Sequence, residues 1–162
     1  MSFSKRSFLA ASLATLAACG FSPVYAPGGA GDGLRHAILV QEPDNRNEFS
    51  FVSQLEKRLG RAQSAPYALN YTIRTRTKGV GITPAQETTR YNLFGIAKYE
   101  VIDRATGKSV SSGMVENFTG YSATSLIVGT QSVTRDANER LMVVLADQVV
   151  TRLIATSTDW RQ

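Results

Sequence analysis

The sequence predicts an α+β domain of order β-α-β-β-β-α: a mostly antiparallel four-stranded sheet with two helices packed on one face. Three observations carry this expectation. Residues 67–78, "YALNYTIRTRTK", alternate strictly between apolar and polar positions. Two further stretches rich in aromatic and β-branched residues follow, joined by a short Gly-containing turn. Residues 132–155 then carry Ala137, Leu141, Leu145, Val149 and Leu153 in an i+4 row. Period two marks strands, and a period near 3.6 marks a helix with one buried face.

The chain opens on Lys5 and Arg6, a short basic segment, and no acidic residue precedes Asp32. From Phe8 to Ala18, eleven residues are apolar or small. A membrane-spanning helix needs about 20, so the run reads as a secretory leader and not a permanent anchor. Leu16-Ala17-Ala18-Cys19 has the Leu-small-small-Cys form of a bacterial lipobox. In that motif the thiol takes a diacylglyceryl group and cleavage leaves the cysteine as an acylated N-terminus. Cys19 is the sole cysteine, so no internal disulfide is available to hold the fold. Two or more acyl chains on one residue anchor stably. The expected organisation is a leader over residues 1–18, a flexible tether over 19–33 and a single domain over 34–162. Gly20 follows the cysteine where many inner-membrane lipoproteins carry Asp, which favours an outer-membrane, periplasm-facing location.

Residues 26–33, "APGGAGDG", have the composition of a tether. "HAILVQE" (36–42) reads as a short strand closed by Pro43 and Asp44, pairing in either direction. "NEFSFVSQLEKRLG" (47–60) reads as a helix with Phe51, Val52, Leu55 and Leu59 on one face, Asn47 as its N-cap and Gly60 at its end. Along 67–78, Tyr67, Leu69, Tyr71 and Ile73 form the core face, expected to lie under Leu141, Leu145 and Val149. Asn70, Thr72, Arg74, Arg76 and Lys78 form the other face. "RYNLFGIAKYEVID" (90–103) is the next strand, "DRATGK" (103–108) a hairpin turn, and "SVSSGMVENFTGY" (109–121) the last strand. "YSATSLIVGTQ" (121–131) has weak periodicity and reads as a loop over the sheet. The helix over 132–155 is expected to be broadened by Val144, with Asp136 and Glu139 at its positive end and Arg152 at its negative end.

With the leader removed, 16 of the 18 basic residues remain against 13 acidic ones, a net of about +3. That mild excess names no partner, and no nucleic-acid partner is expected. One histidine and a lipidated cysteine leave no haem, zinc or thiol-redox pattern, so no cofactor or metal is expected. His36 stands near a strand start. Glu100 with Asp103, and Asp136 with Glu139, suit a turn and a helix terminus, and the serines of "SVSSG" have no histidine partner. An enzyme is therefore not expected. The basic set Arg74, Arg76, Lys78 and Arg90 remains. Guanidinium groups at one end of a sheet bind phosphate or carboxylate bidentately. The same residues also serve as ordinary edge protection, and periodicity alone leaves both roles open.

Cys19-Gly20-Phe21-x-Pro23 after the cut site, the element order, and the Arg135-Asp136-Ala137 opening of the last helix together resemble the LptE family. These are lipopolysaccharide-assembly lipoproteins, called RlpB in older usage, here of the alphaproteobacterial type. The resemblance covers essentially the whole chain after the leader. It implies an outer-membrane lipoprotein that plugs and helps assemble the LptD β-barrel. It also implies that the protein binds lipopolysaccharide through basic residues, for which Arg74, Arg76, Lys78 and Arg90 are the candidates. No catalytic residue is implied. A second reading is another periplasm-facing accessory lipoprotein of a transporter or barrel-assembly complex. A third, a cell-envelope hydrolase, is disfavoured by the poverty of histidine and cysteine.

Overall fold

The structure is a computed structural model and describes residues 24–29, 31–82, 88–122 and 127–161. The expected leader and Cys19 lie outside the described residues. The elements are β1 (Ile38–Val40), α1 (Arg46–Leu59), β2 (Tyr67–Ile82), β3 (Thr88–Asp103), β4 (Ser109–Ser122) and α2 (Ile127–Trp160). The sheet order is β1-β2-β3-β4, with β1 parallel to β2 and the other pairs antiparallel. The predicted fold class and order therefore hold, and the open direction of the first strand is parallel.

Local chemistry sets each boundary. Asn45 caps α1, not Asn47: its side chain accepts from the Glu48 N–H, and the Glu48 carboxylate accepts from Asp44 N–H and the Asn45 amide. This reciprocal box satisfies donors that the first turn leaves open. Asn47 instead donates to Asn138 on α2, tying the two helices together. Gly60 ends α1 at φ 79°, with its N–H on the Glu56 carbonyl. A β-carbon there would lie 2.5 Å from the His36 ring, so both the conformation and the space call for glycine. His36, at φ 61°, bonds its Nδ1 to the Arg61 carbonyl and marks the kink before β1. That kink shortens the strand expected over 36–42 to three residues.

The hairpin after β3 turns on Asp103. Its carboxylate accepts from the Ala105 and Thr106 N–H groups, and Gly107 takes φ 70°. The Thr106 N–H, with Ala105 in support, holds the Asp103 carboxyl below its usual range.

One buried cluster joins the sheet to both helices. Tyr67, Leu69, Tyr71, Leu93, Ala97, Tyr99, Val101 and Val115 form its floor, and Leu141, Leu145, Val149 and Leu153 its roof. The expected pairing of the β2 row with α2 needs correction. Tyr71 packs on Phe51 of α1, with ring centroids 5.1 Å apart, and Tyr67 meets Trp160 of α2 edge-on. Leu141 and Leu145 instead approach Gly95 of β3 so closely that a β-carbon would lie 2.9 Å from each. Thus α1 reaches β2 at Tyr71, and α2 covers β4 and β3. The Tyr71 hydroxyl faces Glu48 and the Glu42 carbonyl; burial, then the Glu48 charge, pushes its pKa far up and keeps it a donor.

α2 is longer than predicted at both ends, and residues 127–131, expected as loop, are helical. The run "IVGTQ" has no amphipathic period, which is why the pattern hides its helix. Because the helix starts at Ile127 and ends at Trp160, Asp136, Glu139 and Arg152 are interior, not terminal, and the dipole argument for them fails. Asp136 pairs with Arg140 one turn on instead. Val144 is 41% exposed, and Met142, Ala146 and Val150 broaden the buried row in its place. By length and composition the stretch Gln131–Trp160 could cross a membrane, but here it serves as the core helix of the sheet.

Candidate functional site

Beyond the core, β2 and β3 continue as a ladder with the even-numbered residues on the face away from the helices. On β2 these are Arg74, Arg76 and Lys78, which pair with Ile96, Phe94 and Asn92 of β3. β4 extends the rows with Glu116 beside Ile96, Phe118 beside Phe94 and Gly120 beside Asn92. Irregularities at Gly79, Gly81 and Ile82 place Arg90 opposite Gly81, and it shares the row of Asn92 and Phe94. All four predicted basic residues therefore sit on one outer face, toward one end of the sheet. Among the described residues, none of the four has an acidic partner within ion-pair distance.

The same face is strongly apolar, which the sequence reading missed. Phe94 and Phe118 pack with centroids 5.6 Å apart, and the Arg76 guanidinium carbon lies 5.4 Å from the Phe94 centroid. Phe118 is 58% exposed, Met114 47% and Ile96 37%, large values for side chains of this size. Ile96 and Phe118, with Phe94, Arg74, Arg76 and Glu116, line an open groove of about 620 Å³. The signal was present: in "RYNLFGIAKYEVID" both parities are apolar, Leu93, Ala97, Tyr99 and Val101 facing in, Phe94 and Ile96 facing out. A strand covered on one face alone should alternate. Apolar residues on both parities leave the second face of β3 apolar and open.

Chemically, the groove offers a hydrocarbon floor beneath two guanidinium forks, with Lys78 and Arg90 further along. The cation–π contact with Phe94 holds the Arg76 guanidinium over the apolar floor. Such a face has the chemistry for an amphiphilic anion, with cations for acidic oxygens and an aromatic floor for hydrocarbon.

The architecture is that of small bacterial lipoproteins. A lipoprotein from Caulobacter crescentus CB15 superposes with a TM-score of 0.65 at 18% identity, covering 79% of this chain and 95% of its own. Rare lipoprotein B from Shewanella oneidensis gives 0.60 at 11% identity, over 78% and 98% of the two chains. Lipoprotein B from Nitrosomonas europaea gives 0.56 at 10%, over 86% and 93%. No curated protein matches the sequence. Residues 36–153 match the family described as "LptE: Lipopolysaccharide-assembly", and the chain belongs to that family.

Proposed function

We propose that this protein is a non-enzymatic outer-membrane lipoprotein, anchored through acylated Cys19, that plugs and helps assemble an LptD-type β-barrel and binds lipopolysaccharide on its way to the cell surface. Family membership supports the assembly role, and the lipobox supports the anchor. The single observation that carries ligand binding is the outer sheet face, where Arg74, Arg76, Lys78 and Arg90 flank a floor of half-buried Phe94 and exposed Ile96 and Phe118. Lipopolysaccharide combines dense phosphates with acyl chains, and this face offers a partner for each. Charge-assisted contacts contribute about 1.5–3 kcal/mol each when well formed and less when exposed, so several must act together.

Co-purification from detergent-solubilised membranes tests the partner. A large outer-membrane barrel should accompany the tagged protein. Recovery with an inner-membrane transporter instead would overturn this reading and favour an accessory role there.

A further inference from the structure

The two edges of the sheet are finished differently. Alternation along an antiparallel strand sends the main-chain groups of successive residues to opposite sides. Asp103 N–H bonds to the Lys108 carbonyl toward β4, whereas Arg104 N–H bonds to the Pro66 carbonyl toward β2. Odd-numbered residues of β3 therefore face β4, and through the pairs Tyr99–Gly113 and Ala97–Val115 the odd residues of β4 face back. The N–H and C=O groups of Ser112, Met114, Glu116 and Phe118 point out from the free edge. At Phe118 the edge is closed by the chain itself, since the Asn117 side chain accepts its N–H. On the opposite edge, β1 covers Tyr67 and Leu69, and the Gln41 side chain accepts the Tyr71 N–H. Among the described residues no side chain caps Met114 or Glu116.

A groove of about 510 Å³ runs along this uncapped stretch between β4 and α2, lined by Met114, Glu116, Val144, Gln148, Thr151 and Arg152. Met114 and Glu116 point to the outer face while α2 lies on the inner one, so a groove touching both must pass over the backbone edge. Four of its side chains lack partners. Gln148 Oε1 is buried without a hydrogen bond, which is costly unless a donor arrives. The Glu116 carboxylate has no ion pair among the described residues. Met114 and Val144 are 47% and 41% exposed on either side of the edge. An open row of main-chain donors and acceptors between a strand and a helix recognises one shape, an extended polypeptide.

We propose that the β4 edge from Ser112 to Glu116 seats one added strand, supplied by the β-barrel partner of the preceding section, on which this inference rests. The segment carries a basic residue across from Glu116, an apolar one across from Met114, and a donor on the inner side for Gln148. A docked strand hydrogen-bonds to Met114 and Glu116 while its side chains fill the groove. Natural edges are blunted with lysine, proline or bulges; "SSGMVE" (111–116) has no lysine or proline, and the irregularity of β4 lies between Ser109 and Ser111, before Met114.

Proline replacement reads the main chain directly. Met114→Pro removes an N–H that the fold does not use, so the free protein should keep its circular dichroism and cooperative melting. Val115→Pro removes one that bonds to β3 and should unfold. Co-expressed with the barrel protein, Met114→Pro should lose about tenfold or more in complex affinity, because one edge hydrogen bond is lost and the proline ring obstructs the docked strand. Glu116→Lys, which carries no risk to the backbone, should weaken the complex too. Wild-type binding matched by both variants would overturn the inference while leaving the barrel partnership standing. Failure of the wild type to co-purify with the barrel would instead overturn the partnership, and this occupant with it. A wild-type dimer abolished by Met114→Pro would overturn the proposal in favour of pairing between two copies.

Discussion

Arg76 on β2 and Phe94 on β3 are cross-strand partners, and the guanidinium carbon stands 5.4 Å from the ring centroid. One pair thus joins a positive charge to the apolar floor of the outer face. Phe94→Ala should leave the core intact, because the ring points away from it. It should still weaken lipopolysaccharide binding several-fold, since cation–π and apolar contacts at an exposed site are each worth about 0.5–1 kcal/mol. Isothermal titration of the variant beside the wild type measures this, and unchanged affinity would remove Phe94 from the binding face.

Core substitutions should separate the two faces by stability. Leu69 and Leu145 are fully buried in the shared cluster. Truncating either to alanine should cost about 2–5 kcal/mol. Asn70→Ala, on the exposed face of the same strand, should change the denaturant midpoint little. A midpoint for Asn70→Ala below that of Leu69→Ala would contradict the strand register.

Much of this register was legible in the sequence, and the reasons show where legibility stops. Period two placed Leu69 inward and Arg76 outward because one face of β2 is buried and the other solvated. The same logic failed on β3, where Phe94 and Ile96 broke the alternation and signalled a second apolar face. The helix cap was misplaced by two residues, since Asn45 and Asn47 are both good caps and only the geometry around Glu48 chooses between them. The start of α2 was hidden because its first turns carry no amphipathic stripe. Nothing local could assign α1 rather than α2 to Tyr71, since that depends on how two helices share one sheet. All four basic candidates did come together, because strand parity survives into the tertiary fold.

Gly60→Ala should destabilise the domain by more than the ~1 kcal/mol typical of placing a side chain at positive φ. The new methyl would also displace the His36 ring. Thermal melting should show the loss. A variant as stable as wild type would mean that the His36 ring moves without cost.

The Asp103 turn predicts a pH dependence. Its carboxyl is held below the usual range in the folded state, so the ionised form is favoured by folding. That contribution is fully present above the unfolded value of about 3.9 and disappears as pH falls through the lower folded value. The melting gap between wild type and Asp103→Ala should be constant from about pH 6 to 5 and shrink on acidification below about 4. A gap that widens on acidification would contradict the assignment.

Cys19 should be the mature N-terminus and carry the lipid. Mass spectrometry of the native protein should find an acylated N-terminal cysteine and no residue from the leader. An unmodified thiol within a longer chain would exclude the anchor.

The central claim is that the outer sheet face captures lipopolysaccharide through charges placed beside an apolar floor. Its most direct test is the binding isotherm of the double variant Arg76→Ala/Lys78→Ala in low salt. Affinity should fall about tenfold or more, the wild type should lose its advantage as salt rises, and barrel co-purification should be unchanged. An unchanged isotherm in low salt would return these residues to edge protection, and lost barrel association with normal lipopolysaccharide binding would place this face against the barrel wall.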